Sequence, residues 1–192
     1  MLCLLTDVKT RLGLVDATYD TQLTAMILAT EGRFEHECGR KFARKIGETQ
    51  IVRPDRHSFR VNRYPLEEIT KWEVRRCGAW VEVTPAPDFV LRGGGVVLVP
   101  PWESGELGRV TYTGGYYTPD LPEPMPAGCE ALPQDLRSAS IEQIAAWYQW
   151  RLHVLERTTQ DATGNIQVAG DQVWVPWVRD LLKRYRRVAS LG

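Results

Sequence analysis

The chain has 192 residues, with 24 basic and 24 acidic side chains and 43% apolar content. That is enough for one or two compact units with a real core, and no apolar run approaches the ~20 residues that a membrane-spanning helix needs. A net charge of zero argues against a general nucleic-acid binder, although the balance is uneven: five basic groups against Asp180 crowd the stretch from Arg179 to Arg187.

The opening MLCLLTDVKTRLGL has no basic residue ahead of its short apolar run and meets an acid at Asp7, so it is not read as a signal peptide. Thr6 is the candidate cap of a short helix that Gly13 stops. A second helix starts near Asp20. Leu23, Ile27, Thr30, Phe34 and Cys38 recur at helical spacing, and Gly39 ends the run. These residues are read as core.

After Phe42 the periodicity changes to two. Thr49–Val52 and Ser58–Val61 are short strand candidates. Ile69–Arg75 and Trp80–Thr84 flank a Cys77-Gly78-Ala79 turn, a hairpin signal. Phe89–Leu91 and Val96–Val99 flank Gly93–Gly95, a second hairpin. That glycine triplet is not a phosphate loop, because neither Gly-Lys-Ser/Thr nor a helix follows it. Arg109–Thr113 is the last strand, closed by Gly114-Gly115. Tyr112, Tyr116 and Tyr117 have no interleaved basic run to make them a base-stacking platform, so strand-edge packing is their expected role. The stretch 119–133 is proline-rich and aperiodic, hence a linker.

The segment from Leu132 to Arg157 predicts one long helix. Pro133 suits its start, and Asp135 sits where the helix dipole favours negative charge. At about 100° per residue, Ile141, Ile144, Ala145, Tyr148, Leu152 and Leu155 share one face. Leu136, Ala139, Ala146, Trp147, Trp150 and Val154 share the opposite one. A surface helix has one apolar stripe, so this helix is expected to pack against two things. Two readings stand: burial in a single core, or a subunit interface formed by Leu136, Trp147, Trp150 and Val154.

Thr158–Val175 is polar, carries glycines, and reads as an exposed loop or loose hairpin. Loops of such length in compact domains are often functional. Pro176 then opens a final helix with the apolar stripe Val178, Leu181, Leu182, Tyr185 and Val188. Arg179, Lys183, Arg184, Arg186 and Arg187 cover much of the remainder. The basic face is either solvated or docked on an acidic partner.

No catalytic constellation assembles. Cys3, Cys38, Cys77 and Cys129 are scattered without CxxC, and His36, His57 and His153 form no paired-ligand pattern. There is no GxSxG, and Glu67-Glu68 on a strand would point to opposite faces. The expectation is a non-enzyme with no cofactor and no metal.

The order of these signals resembles that of phage head–tail connector, or adaptor, proteins. TDVKTRLGL and DTQLTAMILATEGRFEHECGRKF are similar to the family's N-terminal helices. RYPLEEITKWEV, DFVLRGGGVVLV and GRVTYTGGYYTPDLP are similar to its strands. LPQDLRSASIEQIAAWYQWR and VPWVRDLLKRYRR are similar to its long and C-terminal helices. The stretch TPDLPEPMPAGCEALP is a departure from the family pattern. The resemblance implies a structural protein at the neck of a phage or gene-transfer particle, binding portal and tail (or stopper) proteins. Such a protein forms a homo-oligomeric ring matched to the portal's roughly twelve-fold symmetry. DNA would pass through that ring without sequence-specific contact, and no membrane is involved. Val178, Arg179, Leu181, Leu182, Lys183, Arg184, Tyr185, Arg186 and Arg187 would bind the portal. A different class of function is a nucleic-acid-binding assembly factor using the basic last helix.

The expected fold is α+β: a helical bundle with an inserted antiparallel β module. Its predicted parts are 1–44 (helices), 45–118 (β module), 119–132 (linker) and 133–192 (long helix, loop and final helix). The first and last would form one helical domain.

Overall fold

The computed structural model describes residues 1–53, 58–84, 88–92, 96–98, 107–156 and 174–186. The fold is mixed α+β, and the chain divides into two compact units. One unites Met1–Cys38 with Pro133–Arg186, and the other contains Gly39–Leu132.

The first unit holds α1 (Leu5–Leu12), α2 (Asp20–Cys38), α3 (Gln134–Glu156) and α4 (Pro176–Tyr185). Thr6 is not the cap of α1. It lies inside the helix, and Asp7 instead reaches back to accept from the Leu4 N–H at 3.1 Å. Gly13 closes α1 at φ +69°, where the Leu14 and Gly13 N–H groups return to the Lys9 and Thr10 carbonyls. The α2 residues that are buried are Leu23, Ile27, Thr30, Phe34 and Cys38, the stripe expected from spacing.

Ile144 and Tyr148 of α3 pack with Cys3, Val8, Leu23 and Ile27. Two arginine–carboxylate forks fasten α1 to α3. Arg11 grips Glu142 at 2.6 and 3.0 Å, and Arg137 grips Asp7 at 2.8–3.1 Å. The other side of α3 carries α4, running antiparallel to it. The Val175 N–H donates to Gln143 at 3.0 Å, and the Tyr185 hydroxyl donates to Asp135 at 2.7 Å. The Cys38 thiol at the end of α2 donates to the Leu182 carbonyl at 3.5 Å.

The second unit contains β1 (Lys45–Val52), β2 (Ser58–Arg60), β3 (Leu66–Arg76), β4 (Ala79–Glu82), β5 (Val90–Arg92), β6 (Val96–Leu98) and β7 (Gly108–Gly114). Antiparallel pairing orders one sheet β1-β7-β3-β4 and the other β2-β6-β5. The β3–β4 hairpin turns on Cys77 and Gly78, both at positive φ, between paired Arg76 and Ala79. Two consecutive positive-φ residues match the strands' twist. Val52, Trp72, Val74, Val110 and Tyr112 of the larger sheet pack with Phe59 and Val97 of the smaller. Phe59 stacks on Trp72 at 5.2 Å between ring centres. Gly108 is required there, since a Cβ would lie 2.4 Å from the Trp72 ring.

Residues 119–131 form a loop whose ends meet. Tyr117 donates its N–H to the Glu130 carbonyl at 2.8 Å and accepts from the Leu132 N–H at 3.0 Å. The Tyr117 hydroxyl donates to the Pro122 carbonyl. The expected linker is thus a pinned surface loop, with residues 122–128 exposed. The glycine triplet 93–95, the loop 158–173, Arg187 and Val188 lie outside the described residues.

Candidate interaction site

The helical unit presents a cleft of about 300 Å³ between α2 and α3. Trp147 and Trp150 form one side of it and Met26 and Ala29 the other, with Gln22, Arg33 and Arg151 around them. Helical spacing explains the arrangement. Met26, Ala29 and Arg33 lie three and four residues apart on α2, as do Trp147, Trp150 and Arg151 on α3. The Arg33 guanidinium stands 4.8 Å from the Trp147 ring centre. Trp174 supports the ring from behind, 6.1 Å from Trp147 and 5.6 Å from Phe34. The Trp147 indole N–H is buried, with no acceptor among the described residues.

On this unit Lys9, Arg11, Arg137, Lys183 and Arg186 each have a carboxylate partner. Arg33 and Arg151 beside the cleft, like Arg179 and Arg184 on α4, have none among the described residues. A second, more open cleft of about 380 Å³ lies over α1 and α3, where Arg11 and Glu142 already neutralise each other. The aromatic cleft combines apolar walls with two cations that no carboxylate among the described residues neutralises, so it is the better binding surface.

The residues expected at interfaces separate into three groups. Trp147 and Trp150 line the aromatic cleft together. Leu136, Val178, Leu181 and Leu182 are core, at 0%, 0%, 8% and 0% exposure. The structure therefore corrects their assignment to a subunit interface or a portal contact: periodicity shows that a helix has an apolar face, not what covers it. Tyr185 is half-buried on Asp135, and Arg186 is paired with Glu37. Exposed and available on α4 are Trp177, Arg179 and Arg184, with Lys183 held by Asp180 at 2.7 Å. The side chain of Val154 and all of Arg187 lie outside the described residues.

Gln22, Met26, Ala29 and Arg33 were not singled out by sequence. Their signal is faint: a half-polar strip on α2 beside its core stripe. Among the described residues, no group of His, Cys, Asp and Glu side chains could hold a metal ion, and no helix is long and apolar enough to cross a membrane.

No family model matches the chain, and comparison with curated proteins finds no match. Solved structures do share the fold. A chain in the neck of an empty gene transfer agent particle, computed with C6 symmetry, has a TM-score of 0.60 at 18% identity. The match covers 98% of this chain and 91% of that one. A chain in the virion of the native gene transfer agent particle matches with the same score, 16% identity and the same coverage. The fold is thus one that chains of gene transfer agent particles share.

Proposed function

We propose that this protein is a structural head–tail adaptor, a ring of subunits between the portal and the tail of a phage-like particle. The observation that carries this reading is the end-to-end likeness in fold to a gene-transfer-agent neck chain, 98% of one and 91% of the other. A shared single unit would leave about half of this chain unmatched. Here the helices and both sheets of this chain fall within the matched length. In this reading the protein is a helical bundle interrupted by a β module. Its subunits close a ring through Trp147 and Trp150, and its α4 meets the portal through Trp177, Arg179, Lys183 and Arg184. Tail or stopper proteins bind the opposite side, and DNA passes through the ring without sequence-specific contacts. Six-fold symmetry in the neighbour's neck is compatible with a ring of roughly twelve.

Negative-stain imaging of particles with and without this protein tests the proposal. The expected result is filled heads and separate tails when it is missing, and joined particles when it is restored. Joined particles in its absence would overturn the adaptor role.

A further inference from the structure

The segment 118–132, which departs from the resembled family's pattern, connects β7 to α3. It carries Asp120, Glu123 and Glu130 and no basic residue. Its tip, Pro122-Glu123-Pro124-Met125-Pro126, is exposed, and Met125 keeps 45% of its surface in water. Glu123 has no ion-pair partner among the described residues. Both ends are pinned at Tyr117, so the tip is held out as a preformed ridge. Compact loops with closed ends are frequently functional, and little ordering entropy remains to be lost when one binds.

The aromatic cleft is this loop's chemical complement. Three prolines in five residues leave the tip rich in carbonyl acceptors and poor in N–H donors. The cleft offers the reverse: aromatic walls and two arginines without carboxylates among the described residues. Aromatic-lined grooves are the surfaces on which proline-rich segments dock. About 300 Å³ suits a methionine and a proline ring rather than a whole helix.

We infer that the 119–131 loop of one subunit docks, through Glu123 and Met125, into the Trp147/Trp150 cleft of a second copy of this chain. The inference rests on the ring reading above and names its contact. Plug and socket are different surfaces, so the contact is heterologous. Such contacts repeat head to tail and close into rings when the rotation allows.

Cross-linking between two pools of subunits tests it. One pool carries Met125→Cys and the other Ala29→Cys, both with Cys77→Ser and Cys129→Ser. They are expressed together during particle production, and purified particles are oxidised. The expected product is a dimer containing one subunit of each kind. In parallel, Arg33→Glu should lower the number of copies per particle about tenfold, and Glu123→Arg in the same chain should restore most of it. Thermal melts should match wild type for Glu123→Arg and fall only slightly for Arg33→Glu, because both residues are exposed and Arg33 gives up one contact over the Trp147 ring. Particles whose necks hold several copies but give no cross-link would overturn the loop contact and leave the ring standing. So would cross-linking of the Met125→Cys subunit to a different particle protein. A wild-type neck holding a single copy would overturn both.

Discussion

Glu73 shows how much a single side chain can carry on the outer face of the larger sheet. It sits opposite Arg109 on β7, and the guanidinium grips it at 2.6 Å through two nitrogens. Arg109 also lies 4.7 Å over the Trp80 ring, and Lys71 adds a contact at 3.2 Å. Hydrogen bonds from Arg109 outweigh the cost of burial and hold the Glu73 carboxyl down at about 2, against an ordinary 4.5. The folded state therefore binds this proton more weakly than the unfolded state does. Its contribution to stability is complete above about pH 4.5 and disappears as the pH falls through about 2. Glu73→Gln should lower stability at pH 7 and flatten the acid limb of a stability–pH curve measured by urea titration. A Gln variant whose acid limb matches wild type would show that other carboxylates dominate. Thiols give a second check. Burial pushes Cys3 up to about 11 despite a hydrogen bond from Ser140, whereas Cys77 is exposed on its turn. A thiol reagent at pH 8 should modify Cys77 rapidly and Cys3 only on unfolding.

Among the elements, α4 departs most from its expected role. Val178, Leu181 and Leu182 are buried against the subunit's own helices. At about 1.5–3 kcal/mol for each buried side chain, removing α4 forfeits roughly 5–9 kcal/mol. That is comparable with a typical total stability of about 5–15 kcal/mol. Deleting the chain from Trp177 should therefore leave a helical unit that fails to fold, not a folded protein lacking one contact. Leu182→Ala should cost about 2–5 kcal/mol in denaturant melts. Near-wild-type stability for that variant would mean that α4 detaches freely. The same contrast shows what sequence could reveal. The α2 stripe was legible because its period runs unbroken from Asp20 to the Gly39 stop. The β3–β4 turn was legible because Gly78 takes positive φ without cost between two alternating runs, although Cys77 beside it gives no such signal. The two faces of α3 were legible too, but one of their two partners is α4, which only tertiary packing could show. The start of β1 was hidden because Gly47, at φ +64°, shifts its register and breaks the alternation. Arg40 gave no signal at all. It is 4% exposed, with its guanidinium 3.2 Å from the centre of the Tyr64 ring and near Phe42 and Tyr116. Nothing in a charged residue's neighbours in sequence announces a buried aromatic cage.

For the whole molecule, the adaptor reading turns on what the exposed cations of α4 touch. One candidate is an acidic portal surface. The other is the phosphate backbone of DNA in the channel, which would also suit a nucleic-acid-binding assembly factor. Since the apolar stripe is used internally, charge and Trp177 must carry any contact made by the visible face. Arg179 and Arg184 are exposed and without carboxylate partners among the described residues, while Asp180 already neutralises Lys183. Few exposed pairs give a modest contact, worth about 0.2–1 kcal/mol each and weakened by salt. Reversing Arg179 and Arg184 to Glu should weaken binding to isolated portal rings several-fold and leave the melting curve unchanged, because neither side chain is packed. If DNA is the true contact, the same variant should bind portals normally and its particles should leak packaged DNA. In that case duplex binding by the wild-type protein would also fall steeply with salt. Measuring portal affinity and DNA retention on this one variant separates the two. Weakened portal binding with full heads supports the adaptor contact, and normal portal binding with leaking heads overturns it.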